Sequence, residues 1–148
     1  PQDYCQFGDC CNSITEANRQ CYRAQCAATT RGVVESLGWS KEFYSMAFQS
    51  RLGPIPWLQP YLDEHILELV EQGKKRVAVV TPSFISDCLE TIHEIGVEYH
   101  EEFMEAGGEQ FQLVPNLNDD PEWFSSVHEI AKKHLQSVPV HELASAAS

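Results

Sequence analysis

Apolar positions along this chain recur in two rhythms, and the changes between them mark its elements. From about Thr15 to Leu37 no proline interrupts the sequence and the only glycine is Gly32. Ser13 and Glu16 have capping-box spacing, and Gly38 stands where a helix commonly ends in a left-handed residue, so a first helix is expected here. Phe43 to Gln49 alternates loosely and is rich in aromatics, which predicts a strand. Gly53-Pro54-Ile55-Pro56 must then be loop, because two prolines around one residue break regular hydrogen bonding. Leu62, Ile66, Leu69 and Val70 recur at helical spacing between Tyr61 and Gln72, and Gly73 closes that helix. Val77-Ala78-Val79-Val80 is an unbroken run typical of a strand covered on both faces. A third helix is expected from about Asp87 to Ala106, stopped by Gly107-Gly108, and a third strand over Phe111 to Val114. Asp120-Pro121 supplies an N-cap and a first-turn proline for a last helix to about Leu135.

The order α-β-α-β-α-β-α places the chain in the α/β class, with parallel strands and helices on both faces. Three segments follow directly after the three strands: Gln49 to Trp57, Thr81 to Glu90 and Pro115 to Asp119. In a parallel sheet such segments emerge at one edge, so they are expected to line a common cleft. The tail from Ser137 to Ser148 has no periodicity and is expected to fray.

Composition narrows the function. With 148 residues, 43% of them hydrophobic, the chain can bury a core of domain size. The start at Pro1 and the opening helix without a preceding strand predict that it belongs to something longer. A net charge of −12 opposes nucleic acid or an anionic membrane surface as main partner, while metal cations fit it. No apolar run is long enough for a transmembrane helix.

Acidic residues are not scattered evenly. At helical spacing Asp87, Glu90, Glu94, Glu98, Glu101 and Glu105 fall within one arc of the third helix, and Ile85, Ile92, Tyr99 and Phe103 fall opposite. Like charges repeated at i and i+4 cost a few tenths of a kcal/mol per pair. No Lys or Arg between Arg76 and Lys132 offsets the row. A solvated face and a path for a divalent cation or for protons are both consistent with the spacing. Glu90, between apolar Phe84 and Leu89, is expected to have a raised pKa through desolvation and like-charge neighbours. Trp57, between prolines at a strand exit, either caps the core or offers a flat stacking surface.

Five of the six cysteines, Cys5, Cys10, Cys11, Cys21 and Cys26, lie in the first 26 residues. Such a cluster beside an ordinary core reads better as a metal site than as a disulfide scaffold. Four thiolates suit either a [2Fe-2S] cluster or structural zinc, and the spacing leaves that choice open. Cys21 and Cys26 would diverge on one regular helix, so its start must be distorted if both are ligands. Cys88 stands alone, with no partner suggested.

Three stretches together carry a resemblance: Phe48-Gln49-Ser50-Arg51-Leu52-Gly53-Pro54-Ile55-Pro56-Trp57-Leu58, Thr81-Pro82-Ser83-Phe84-Ile85-Ser86-Asp87-Cys88-Leu89-Glu90-Thr91 and Glu94-Ile95-Gly96-Val97-Glu98-Tyr99. From about Cys21 to Lys133 the chain resembles the C-terminal half of ferrochelatases. The resemblance implies a three-layer Rossmann-like half-domain, chelatase-like, with a short parallel sheet over residues 15–136. It further implies a cysteine-rich, cluster-binding segment over residues 1–26 and a flexible tail over 137–148. The implied activity is insertion of ferrous iron into a porphyrin in haem biosynthesis. Glu90 takes the catalytic and metal-binding role, with Glu94 and Glu98 continuing the acidic row along a helix that often contains π-type turns. Gln49, Ser50, Arg51, Trp57, Phe84, Ser86 and Asp87 become the porphyrin pocket.

The cysteine segment is similar to that of a bacterial group with an internal [2Fe-2S] site, which implies Cys5, Cys11, Cys21 and Cys26 as ligands, with Cys10 as substitute for Cys11. Many relatives have histidine at the position of Cys88. The cleft histidine of the family would precede Pro1, so this chain is expected to need an N-terminal half-domain and to be inactive alone. A cytoplasmic, bacterial protein, compatible with peripheral membrane contact, is implied. The alternatives are a non-catalytic iron-sulfur carrier or redox-sensing module, and a chelatase that loads cobalt or nickel into another tetrapyrrole.

Overall fold

The structure, a computed structural model, describes residues 9–49, 53–54 and 57–137. Helix α1 spans Tyr22–Leu37 and α2 spans Leu62–Glu71. Strand β1 is Arg76–Val79. A π-helix over Glu90–Tyr99 runs on into α3, His100–Glu105. Strand β2 is Gln110–Leu113 and α4 is Pro121–Ser137. The strands pair in parallel, Val77 opposite Phe111 and Val79 opposite Leu113, so the π-helix and α3 form the crossover between them.

Both strands cover one face only: Val77, Val79, Phe111 and Leu113 are half-buried while Arg76, Ala78, Gln110 and Gln112 are exposed. The expectation of a β1 covered on both faces is therefore corrected. The covered face meets the crossover. Phe103 is 0% exposed, with its ring 5.7 Å from that of Phe111, and Ile66 and Ile95 complete the packing from α2 and the π-helix. Gly108 lets the chain turn back over this cluster. A Cβ there would lie 2.2 Å from the Phe103 ring and 2.7 Å from its carbonyl oxygen.

Two expected elements differ from the structure. The first helix begins at Tyr22 rather than near Thr15, because Asn18 takes the preceding residues for itself. Its Oδ1 accepts from the Thr15 amide at 2.7 Å and its Nδ2 donates to the Ser13 carbonyl at 2.9 Å. Asparagine commonly competes with a helix in this way. Cys21 becomes the extended N-cap residue, with φ −78° and ψ 118°.

The strand expected over Phe43 to Gln49 shrinks to a single parallel bridge between Phe48 and Tyr61, after a 3-10 turn at Lys41–Phe43. The Phe48 amide donates to Pro60, and Pro60 has no N–H with which to extend a ladder. Other signals held. Gly38 ends α1 at φ 67°, and Asp120 Oδ1 caps α4 by accepting from the Glu122 amide at 2.8 Å. No helix among the described residues is long and apolar enough to cross a membrane.

Candidate functional site

The two loops that leave β1 and β2 are knotted together by side chains. Thr81 Oγ1 donates to Asn116 Oδ1 at 2.6 Å. The Asp87 amide donates to Asn118 Oδ1 at 2.8 Å, and Asn118 Nδ2 donates back to Asp87 Oδ2 at 2.7 Å. Asn118 sits at φ 45°, a left-handed conformation that asparagine tolerates better than most residues. Fully buried Thr91 holds the first turn of the π-helix: its hydroxyl accepts from the Cys88 amide and donates to the Cys88 carbonyl.

The segment after Phe48 joins the same place. Trp57 Nε1 donates to the Gln49 carbonyl at 2.9 Å, and Gln49 Nε2 donates to Glu94 Oε2 at 3.1 Å. All three expected segments thus meet at the start of the π-helix. Trp57 is 45% exposed, so it does not cap a core; its indole is anchored by one edge through Nε1, and its ring remains partly open to solvent. Of the expected pocket residues, Phe84 is half-buried while Ser86 and Asp87 are exposed. Ser50 and Arg51 lie outside the described residues.

The π-helix changes which side chains are neighbours. On an α-helix, residues five apart are about 140° apart around the axis and cannot meet. The wider i to i+5 winding brings them onto one side. Two such pairs form. Tyr99 OH donates to Glu94 Oε1 at 2.8 Å, and His93 Nδ1 lies 3.2 Å from Glu98 Oε1. The expectation that Tyr99 lies opposite the acidic row is corrected for this reason, and Ile85 and Ile92, expected there too, are exposed.

Both oxygens of Glu94 are consequently held, one from the Gln49 loop and one from Tyr99. Burial pushes the Tyr99 phenol above its ordinary value of 10.0, and the Glu94 hydrogen bond and the charges of Glu94, Asp63 and Glu102 push it further. The phenol therefore remains a donor at any physiological pH. A raised folded-state pKa means that unfolding releases this proton more readily, so stability falls as pH rises past about 10. In an ultraviolet titration one of the five tyrosines is expected to ionise later than the others, and Tyr99→Phe should remove that late component.

Glu90, His93, Glu94 and Glu98, with Leu89, line an open concavity of about 390 Å³. The expected raised pKa of Glu90 is corrected. The carboxyl is exposed, and a hydrogen bond from the Cys88 side chain, the largest influence, holds it below its ordinary 4.5. Among the described residues no three Cys, His, Asp or Glu side chains converge as a cage for one cation. The row is a succession of carboxylates along an open wall.

The same holds for the thiols. Cys11 is buried against α1, with Arg23 Nη1 donating to its sulfur at 3.1 Å and Arg31 donating to its carbonyl. Burial pushes the Cys11 thiol up, partly offset by Arg23. Cys10, Cys11, Cys21, Cys26 and Cys88 are free thiols, and Cys5 lies outside the described residues. The described thiols do not by themselves assemble a four-thiolate site. Cys21 is the extended N-cap of α1, and its carbonyl already accepts the first helical hydrogen bond, from the Gln25 amide at 3.0 Å.

Sequence reasoning missed the pairing of Asp87 with Asn118, the role of Gln49 in holding Glu94, and His93. A histidine amid a row of glutamates was the available signal for the last.

The family model described as Ferrochelatase matches residues 1–135. A ferrochelatase of Coxiella burnetii is 42% identical over 137 residues, 89% of this chain and 39% of its own length. One from Legionella pneumophila is 45% identical over 125 residues, 84% of this chain and 38% of its own. One from Bdellovibrio bacteriovorus is 45% identical over 124 residues, 84% and 37% respectively. The chain thus spans under two fifths of the length of these relatives.

Proposed function

Because the chain belongs to the ferrochelatase family, we propose that it forms one wall of a porphyrin cleft and, within the complete protein, helps insert ferrous iron into the macrocycle. The opposite wall, with a histidine facing Glu90, is assigned to the part of the protein that the relatives have and this chain does not span. On this reading the chain alone is inactive. We place the protein in the bacterial cytoplasm.

Metal insertion exchanges two pyrrole protons for one Fe²⁺, so the wall must orient a flat ring, take up protons and admit a cation. Trp57 offers the ring a stacking face, with Gln49, Ser50, Arg51, Phe84, Ser86 and Asp87 around it. Glu90, ionised at neutral pH and open to the concavity, is the group that meets the metal and accepts a pyrrole proton. Glu94 is fixed between Gln49 and Tyr99, so it keeps its position while charge passes. Glu98 stands farther out on the same row. Iron moves in and protons move out along these three carboxylates. The observation that carries the reading is the clamp on Glu94, which ties the acidic row to the Trp57 loop. An open row suits a substrate ion, which has to be released again, better than a closed cage does.

We further assign a [2Fe-2S] cluster to Cys5, Cys11, Cys21 and Cys26, with Cys10 as substitute for Cys11. The density of thiols in the first 26 residues supports it. A bound cluster would supply a cross-link between the cysteine segment and α1. The complete protein, purified anaerobically, is expected to hold two irons and two acid-labile sulfides, and to bind a porphyrin and incorporate Fe²⁺. A cluster without porphyrin affinity would instead support the non-catalytic carrier, and Co²⁺ or Ni²⁺ insertion without Fe²⁺ insertion would support a related chelatase.

A further inference from the structure

We propose that Tyr99 is a positioning residue for the porphyrin, holding the Trp57 side of the cleft wall in place through Glu94 and Gln49. The inference rests on the chelatase reading above and adds to it a residue that acts on the ring only through others. Three hydrogen bonds run in series from the end of the π-helix to the indole. Tyr99 OH donates to Glu94 Oε1 at 2.8 Å, Gln49 Nε2 donates to Glu94 Oε2 at 3.1 Å, and Trp57 Nε1 donates to the Gln49 carbonyl at 2.9 Å. Glu94 is the turning point of the series, since its two oxygens serve donors from segments that are far apart in sequence.

The Gln49 segment needs such a tie. Its backbone joins the fold at the bridge between Phe48 and Tyr61 and belongs to neither strand of the β1–β2 sheet. Its side-chain contacts therefore decide where Trp57 stands. Gln49 cannot supply the fixed end, because it and Glu94 are both long side chains with many rotamers to lose. Tyr99 can. It is the last residue of the π-helix, where the chain runs on into α3 and fully buried Phe103. The side chain is half-buried and has only two torsions to fix. Burial, together with Glu94, Asp63 and Glu102, keeps the phenol protonated, so it always donates. A macrocycle must sit with its nitrogens over Glu90, and small displacements of a bound reactant are costly in rate. A stacking platform that shifts lets the ring shift with it.

The test uses the complete protein with mesoporphyrin as the probe. Tyr99→Phe is expected to weaken mesoporphyrin binding about fivefold, the size of one ordinary hydrogen bond. Gln49→Ala should weaken it by a similar factor. The double variant should lose no more than the larger single loss, because either substitution alone already breaks the series at Glu94. Acrylamide quenching of Trp57 emission, taken as the difference from Trp57→Phe, should rise in Tyr99→Phe before any porphyrin is added. A merely structural role would leave that quenching unmoved and the two losses independent. Unaltered quenching, unaltered mesoporphyrin affinity in Tyr99→Phe, or two losses that multiply in the double variant would each overturn the proposal. Quenching that depends on Tyr99 in a protein that binds no mesoporphyrin would uphold the tie to Trp57 and overturn the chelatase reading instead.

Discussion

Glu90→Gln in the complete protein is expected to lower kcat for iron insertion by about a thousandfold, within the range that a positioned proton acceptor contributes, while leaving porphyrin affinity within about twofold. The substitution keeps the shape of the side chain and removes its charge and basicity. Glu90 lines the concavity without a buried contact, so the variant should fold normally. The Cys88 side chain beside it holds the Glu90 carboxyl below its ordinary value, so Glu90 is ionised at neutral pH and available to Fe²⁺. For a proton taken from a pyrrole nitrogen, Glu94 and Glu98 are the next acceptors along the helix. Anaerobic single-turnover and porphyrin-binding measurements on the same preparation separate the two effects. A kcat within tenfold of the unsubstituted protein would remove Glu90 from the reaction.

Phe103→Ala should have the largest effect on stability. Phe103 is 0% exposed and links α3 to β2 and to the turn at Gly108. Truncating a buried phenylalanine typically costs about 3–5 kcal/mol, against a total stability of about 5–15 kcal/mol for a domain. Urea denaturation of the complete protein should show the loss as a lower midpoint at similar slope. Gly108→Ala should shift the midpoint in the same direction, because the new methyl group meets the same ring and the Phe103 carbonyl. A loss below about 1 kcal/mol for Phe103→Ala would mean that the core lies elsewhere.

Periodicity and punctuation sufficed for much of this fold. The apolar spacing of α2, the β-branched run of β1 and the glycines after α1, α2 and α3 describe local preferences that tertiary contacts did not override. What escaped was decided by particular side chains or by winding. Asn18 shortens α1 by satisfying the backbone ahead of it, and nothing in a hydrophobic pattern registers that competition. Pro60 stops a ladder whose partner lies next to α2, a long-range fact about a short segment.

The acidic row was legible because like charges at one spacing are costly. Its true neighbours were not, since a wheel drawn at α-helical pitch separates Glu94 from Tyr99 and His93 from Glu98. Burial of Glu90 was inferred from flanking apolar residues, yet Leu89 itself is 75% exposed and shields nothing. The meeting of the loops after β1 and β2, by contrast, followed from chain order in a parallel sheet, and Asp87 and Asn118 now give it atoms; the Gln49 segment joins them without a strand of that sheet, through Glu94 and Trp57.

The most direct test is anomalous diffraction at the cobalt edge from crystals of the complete protein soaked in Co²⁺. A peak beside the carboxylates of Glu90, Glu94 or Glu98, on the side of the helix that carries His93 and faces the Trp57 loop, is the predicted result. Cobalt bound elsewhere, with this wall of carboxylates bare, would contradict the route proposed for iron.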